Sequence, residues 1–289
     1  MNPIHGVVLG IIQGLTEPLP ISSSAHLVTV PWLLRWPEHS LTFDVALHMG
    51  TLAALLLYFW RDLWLLLVAW LPERPPPMGI VHGVAGGPAG EAAVSPARQG
   101  QRRLGVGLIV GSIPAAVVGA LFADRIEESL RSPVLIALLL LAAAVLLAAA
   151  DRAGIQRLGL ESVGITQALI IGAAQALALA PGVSRSGITL TTALFLGLTR
   201  EAGARYAFLL GIPVTVGAGV FQLRHLLRDG IPADERAAFA LGVLASLVVG
   251  VFAIRGLLGY VRHRNLDVFV AYRIGFALLI VLIGAVRSR

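Results

Sequence analysis

Residues 13–27 read QGLTEPLPISSSAHL, and the rest of the chain is read outward from this stretch. Inside an otherwise apolar run it carries a carboxylate (Glu17), two prolines, three consecutive hydroxyls (Ser22, Ser23, Ser24) and an imidazole (His26). Proline lacks an N–H and ends helices, so Pro18 and Pro20 stop one helix and leave backbone groups unpaired. At membrane depth, such backbone is tolerated only where it lines a cavity. Serine is a favoured N-cap, so SSSAHL opens a second helix, and a helix start presents free N–H groups with partial positive charge. The stretch predicts a broken helix around an anion site.

The surroundings fix the solvent. The chain has 289 residues, 57% of them hydrophobic and 13% charged, with a mean hydropathy of +0.83. A soluble bundle of this size rarely has so few charges. Runs such as FDVALHMGTLAALLLYFWRDLWLLLVAWL and SPVLIALLLLAAAVLLAAA reach the length that crosses a bilayer. The absence of cysteine excludes thiolate chemistry and cysteine-based metal sites. All 22 basic residues are arginine and the net charge is +6. These charges sit at segment ends, where cations meet lipid head groups, so no nucleic-acid partner is expected. The N-terminus has neither a basic region nor a cleavage site, so no signal peptide is read there. The expected class is an all-α polytopic membrane protein.

Punctuation by Gly, Pro and charge divides the chain. Short apolar segments near 4–17 and 22–36 precede longer ones near 43–70, 105–123 and 133–150. Short ones near 162–179 and 185–198 then precede longer ones near 203–226, 237–259 and 268–286. Residues 71–103, rich in Pro, Gly and Arg, read as a solvent-side loop. The restart is visible without gaps: GIIQGLTEPLPISSSAHL aligns with GAAQALALAPGVSRSGIT. Gly10 meets Gly172, Gln13 meets Gln175, and Ser22 and Ser24 meet Ser184 and Ser186, while Arg185 falls opposite Ser23 and Leu179 opposite Glu17. The expectation is an inverted-topology repeat, 1–151 and 152–289, with about six spanning helices and two re-entrant helix pairs meeting at a central site. Arginine counts place the loops near 71–103, 151–161, 199–205 and 260–266 in the cytoplasm and both termini outside.

An ionisable residue within a membrane segment reads as functional by default, which singles out Glu17. In the second break, Pro181 and Gly182 end a helix, and Ser184 or Ser186 caps the next with Arg185 between them. Arginine binds phosphate oxygens bidentately and keeps its charge. Two helix starts, an arginine and several hydroxyls describe a phosphate cradle built from Ser22, Ser24, Ser184, Ser186 and Arg185, with Thr189 in reach. His26 falls at i+3 or i+4 from the first serines, a pair suited to nucleophilic attack on phosphorus or to protonating a leaving group. Gln13, one turn before Glu17, adds an oxygen donor for Mg²⁺ or Ca²⁺. His48, one turn after Asp44, reads as an interfacial pair. The GSIPAAVVGALF segment reads as helix packing, and Asp124, Glu127 and Glu128 as a solvated acidic turn.

QGLTEPLPISSSAHL and PGVSRSGIT, in this order and spacing, resemble the two signatures of undecaprenyl-diphosphatases of the integral-membrane, bacitracin-resistance type, and the likeness extends through FDVALHMGT and YAFLLGIPV. The resemblance implies hydrolysis of a C55 isoprenoid diphosphate to the monophosphate carrier of cell-wall polymers. It also implies a divalent cation, and a site in the bacterial cytoplasmic membrane that opens to the outer face. It places function on Glu17, Ser22, Ser23, His26, Ser184 and Arg185, and leaves a homodimer open. The expected partners are a polyprenyl diphosphate and membrane lipid. Gln13 stands where some members have glutamate, and Pro18 where an aromatic is common. Ser23 is the preferred nucleophile with His26 as base or acid; direct attack by metal-activated water is the alternative. A transporter or flippase could use the same architecture, but binding alone needs no base, so the Ser–His pair beside Glu17 favours hydrolysis.

Overall fold

The computed structural model describes residues 2–37, 39–71, 95–130 and 132–287, and these form eleven α-helices with no β-strand. In the first half, α1 (Pro3–Thr16) and α2 (Ser23–Leu34) precede α3 (Leu41–Tyr58), α4 (Trp60–Val68), α5 (Pro96–Leu130) and α6 (Pro133–Ala153). The second half consists of α7 (Ile165–Ala176), α8 (Arg185–Phe195), α9 (Arg200–Asp229), α10 (Arg236–Val261) and α11 (Asp267–Arg287). Among the described residues six helices, α3, α5, α6, α9, α10 and α11, are long and apolar enough to cross a membrane. The chain is a multi-pass membrane protein. With 14, 12, 12 and 11 residues, α1, α2, α7 and α8 fall short of the roughly 20 that a span needs.

Three boundaries differ from the sequence reading. The 43–70 segment is two helices, parted at Phe59, whose side chain is fully buried. Of the expected 71–103 loop, residues 72–94 lie outside the described residues, while 96–103 begin α5. Here Arg98 and Arg102 donate to the Val68 and Ala69 carbonyls at 3.0 and 2.7 Å, capping the end of α4 and fixing the start of α5 against it. The expected acidic turn at Asp124, Glu127 and Glu128 is helical backbone, because α5 continues to Leu130.

Packing gives the helices directions. Gly6, Gly10 and Gly14 lie against Ala238, Gly242 and Ser246 in step, so α1 and α10 run side by side in the same sense. A Cβ on Gly10 would fall inside contact distance of the Gly242 carbonyl oxygen, so only glycine permits this approach. In the same way, Gly107 and Gly111 of α5 meet Ala168 and Gly172 of α7. In contrast, α6 and α11 are antiparallel: Asp151 bonds to Leu266 N–H at one end, and Ile136 and Ala137 cluster with Ala277 and Ile280 towards the other. Only residues 131–132 separate α5 from α6 and residues 262–266 separate α10 from α11, so with α6 and α11 antiparallel, α5 and α10 run in opposite senses. Consequently α1 and α7 enter the bundle from opposite ends. The chain breaks that follow them meet inside it, where Ser186 donates to the Glu17 and Leu19 carbonyls at 3.0 and 3.1 Å.

Candidate active site

The two breaks share one construction. Ser22 and Ser184 cap α2 and α8 at φ +73° and +72°, a left-handed conformation that costs a residue with a side chain and that the surrounding packing must hold. Each hydroxyl accepts from the N–H three residues on, Ala25 at 3.4 Å and Gly187 at 3.1 Å. Each also meets the hydroxyl two residues on, Ser24 at 3.2 Å and Ser186 at 3.3 Å. The halves differ at the next position, which is Ser23 in one and Arg185 in the other.

Glu17 is the hub. It is 8% exposed, and its Oε1 accepts from Arg185 Nη2 at 2.7 Å. Ser23 Oγ donates to its Oε2. Gln13 Nε2 approaches the same Oε2 at 3.3 Å, and His48 Nε2 faces it at 3.5 Å. Arg185 also donates through Nη1 to the Gly211 carbonyl at 2.6 Å and to Thr215 Oγ1 at 2.5 Å. Three of its five N–H groups are thus committed, and Nε–H with the second Nη2–H remains as a fork suited to a phosphate edge. The cavity lined by Glu17, Thr51, Arg185 and Ser186 is about 10 Å³, so the ion pair fills the space where the sequence predicts a cleft.

His26 lies elsewhere than beside Ser23. Its Nδ1 bonds the Ser22 carbonyl at 2.6 Å, so Nδ1 carries the proton, and Nε2 accepts from Tyr272 O–H at 2.7 Å. The ring stacks on Phe276 with centroids 4.2 Å apart. The structure therefore gives Ser23 a carboxylate partner, Glu17, in place of the imidazole. Thr189 is fully buried with its hydroxyl turned back to the Arg185 and Ser186 carbonyls at 2.7 and 3.3 Å, away from the cradle. Ser24 touches Ser22, and Ser184 and Ser186 line the second break.

Three side chains to which the sequence reading gave no place in the site complete it. Arg273 of α11 is 1% exposed and donates to Pro20 O at 2.5 Å and Val183 O at 3.2 Å, one carbonyl from each break. No carboxylate pairs with it among the described residues, so its charge rests on backbone dipoles and pins the breaks together. Tyr272 fixes His26. His48 belongs to Glu17: its Nδ1 donates to the Asp44 backbone carbonyl at 2.7 Å, while the Asp44 carboxylate pairs with His39 at 2.6 Å. The interfacial Asp44–His48 pair expected from the sequence is replaced by this contact, because one helical turn carries the ring inward.

Among the described residues no cluster of three His, Cys, Asp or Glu side chains is present. Oxygen donors for a hard cation are nevertheless at hand. Gln13 is 0% exposed and its Oε1 has no hydrogen-bond partner, beside the Glu17 carboxylate. A larger cavity of about 560 Å³ lies at the far end of α2, lined by Leu27, Thr29, Trp32, Arg35, Asp44 and Arg287 among others. It sits at the same end of the bundle as the C-terminal end of α11, where Arg287 donates to the Trp32 and Leu33 carbonyls.

The chain is similar to known proteins along nearly its whole length. The chain is 47% identical over 275 residues to the undecaprenyl-diphosphatase of Geobacter sulfurreducens, with 95% of each chain covered. It is 46% identical to that of Geotalea daltonii over 280 residues (96% of this chain, 97% of the relative), and 45% identical to that of Desulforudis audaxviator over the whole of both. The profile described as bacitracin resistance protein BacA matches residues 6–279, which span both breaks and five of the six apolar helices whole and end within α11; the chain belongs to the BacA family.

Proposed function

We propose that the chain hydrolyses undecaprenyl diphosphate to undecaprenyl phosphate and inorganic phosphate, recycling the lipid carrier of cell-wall polymers and thereby resisting bacitracin. The observation that carries this reading is the Ser23 hydroxyl donated to Glu17 Oε2 while Arg185 holds Oε1. In the attack step Glu17 takes the proton as Ser23 Oγ bonds to the terminal phosphorus. The bridging P–O bond breaks, and undecaprenyl phosphate leaves. Glu17 returns the proton to the departing phosphate oxygen; water then attacks the seryl phosphate with Glu17 again as base, and Glu17 passes that proton to Ser23 Oγ as phosphate is released. Arg185 offers Nε–H and Nη2–H to the phosphoryl oxygens, and the helix starts at Ser23 and Arg185 add N–H donors. His26 positions Ser22, and so the start of α2, through its Nδ1–H bond to the Ser22 carbonyl.

Glu17 Oε2 and Gln13 Oε1 would hold a divalent cation, which when bound supplies charge neutralisation to the diphosphate. The two breaks form the centre of an inverted-topology repeat of re-entrant pairs, a reading supported by the opposed directions of α1 and α7. On this reading the site opens towards the termini, the end of the bundle that holds the 560 Å³ cavity, and the arginine-rich connections at the opposite end support an outer-face orientation. Every group of the site comes from one chain, so a homodimer would carry two complete sites.

The test is phosphate release from undecaprenyl diphosphate by the purified protein in detergent, with cation and with chelator, alongside Ser23→Ala, Glu17→Gln and Arg185→Ala. Cation-dependent release lost in all three variants is expected, with a trapped phosphoserine at Ser23 on acid quench. Tight lipid binding without release under any cation would overturn the enzyme in favour of a lipid transporter.

A further inference from the structure

The cavity at the far end of α2 takes no part in the chemistry at Glu17. Its volume of about 560 Å³ lies within the range of about 300–1,000 Å³ typical of small-molecule sites. Two guanidiniums line it, those of Arg35 and Arg287. Arg287 donates through Nη1 and Nη2 to the Trp32 and Leu33 carbonyls at 2.7 and 3.0 Å, and lies over the Trp32 ring, 4.6 Å from its centroid. Its Nε–H and one hydrogen on each Nη remain to be used. Arg35, the residue that follows α2, is exposed, and neither arginine pairs with a carboxylate among the described residues. The carboxylate in the lining, Asp44, is engaged by His39 at 2.6 Å. Two like charges that share a cavity repel. An anion with several acceptor oxygens removes that repulsion and takes up the free N–H groups.

The rest of the lining says what the anion carries. Leu27, Val28, Pro31 and Pro133 make an apolar wall, and Trp32 and Trp36 stand beside the arginines. Tryptophan and arginine at one level mark the membrane–water interface, where lipid phosphates lie. From Leu27 to Arg35 the chain advances about 12 Å as helix, room for a phosphate and the first isoprene units. Thr29, also in the lining, is 1% exposed and its hydroxyl has no partner, whereas those of Thr16, Thr191 and Thr215 each donate to the carbonyl four residues back. A hydroxyl therefore stands unused in the wall. We propose that this cavity is a second binding site, for the phosphate monoester head of an isoprenoid lipid, with Arg35 and Arg287 on the phosphate and the apolar wall against the tail. A monoester brings close to two negative charges to the two guanidiniums, where a diester head group brings one. The inference rests on the phosphatase reading, in which such a monoester is the lipid product, and makes the cavity the place that holds it at head-group level after it leaves Ser23.

The experiment uses the full chain, purified in a neutral detergent, with farnesyl phosphate as the probe and the fluorescence of Trp32 and Trp36 as the signal. Trp60, Trp64 and Trp70 lie in or just after α4, and a chain with Trp32→Phe and Trp36→Phe supplies their background. The expected result is a saturable change with farnesyl phosphate, retained in Arg185→Ala. Arg35→Gln should weaken it at least about tenfold, the loss that goes with one charged hydrogen bond, and adding Arg287→Gln should weaken it further. Arg35→Gln breaks no side-chain bond among the described residues, so it tests the site without uncapping α2, and thermal unfolding shows that each variant is folded. Equal affinity in Arg35→Gln overturns the inference. So does inorganic phosphate, farnesol or phosphatidylglycerol binding as tightly as farnesyl phosphate, which would mark a free-anion site, an apolar pocket or a general phospholipid contact. Phosphate release from undecaprenyl diphosphate, measured on the same samples, separates the two readings. Binding without release keeps the second site and sinks the phosphatase; release with an unchanged titration in Arg35→Gln does the reverse.

Discussion

Replacing Glu17 with Gln and Arg185 with Gln, singly and together, measures how strongly the central ion pair holds the two breaks together. The pair is 2.7 Å apart, with 8% and 19% of the two side chains exposed, so both charges are largely out of water. Two charges about 4 Å apart at an effective dielectric of 20 attract by about 4 kcal/mol, an upper bound before desolvation is subtracted. Arg185 keeps Gly211 O and Thr215 Oγ1 when Glu17 is neutralised, which limits the cost of Glu17→Gln to about 2 kcal/mol. Arg185→Gln leaves a buried carboxylate with Ser23, Gln13 and His48, and costs about 3 kcal/mol, the low end for a broken buried pair. Since both lesions remove the same contact, the double variant should be more stable than the sum predicts by about 1.5–3 kcal/mol. Reversible unfolding in mixed micelles with increasing dodecyl sulfate supplies the four free energies. Costs that add within about 0.5 kcal/mol would refute the argument, because uncoupled groups cannot be holding the breaks to one another. Phosphate release should fall by about 10²–10⁴ in Glu17→Gln from loss of the base alone.

Other outcomes follow from single contacts. Asp151 accepts from Arg200 Nε at 2.5 Å and Leu266 N–H at 2.9 Å, tying α6 to the starts of α9 and α11. Asp151→Asn should cost about 1.5–3 kcal/mol in the same unfolding assay while release persists at low temperature. Loss of activity without loss of stability would contradict that role. Gly10→Leu should force α1 off Gly242 and cost at least about 1–3 kcal/mol, with Gly256→Leu, whose added Cβ meets nothing within 4 Å, as the harmless comparison. Equal effects would remove the close-packing argument. Tyr272→Phe deletes one neutral hydrogen bond to His26 and should cost about 0.5–1.5 kcal/mol with release nearly intact. His26→Phe keeps the stack but leaves the Ser22 carbonyl only its 3.4 Å bond from the backbone N–H, and should take release with it. A severe defect in Tyr272→Phe would instead place the phenol in the chemistry.

Much of this was legible in the sequence because prolines and serines act locally. Pro18, Pro20, Pro181 and Gly182 could only break helices, and Ser22 and Ser184 were in position to cap the next ones. The structure gives these caps nearly equal φ angles. The split at Phe59 was not legible, since no Gly or Pro marks it and its apolar side chain is simply buried. Nor was the partner of His48: the i+4 spacing from Asp44 is real, but the bond it makes is to the backbone, and the ring's other edge meets a residue 31 positions away. Arg273 was legible and overlooked. A lone arginine within VFVAYRIGFALLIVL meets the same rule that singled out Glu17, but its ligands are carbonyls, which no side-chain pattern announces.

The closed state of the Glu17–Arg185 pair has a consequence for which molecules can be substrates. With only about 10 Å³ beside it, a phosphate approaching the free Nε–H and Nη2–H of Arg185 must displace neighbouring side chains to reach them. A soluble diphosphate brings the same charges as a lipid-linked one and nothing else to offset that opening. An isoprenoid chain gains about 0.8 kcal/mol for each CH₂ it buries, so a few carbons resting against the helices outweigh the loss. The closed site should thus discriminate by how much hydrocarbon accompanies the phosphate. Small diphosphates should bind poorly in the unaltered chain, and affinity should rise with the length of the tail.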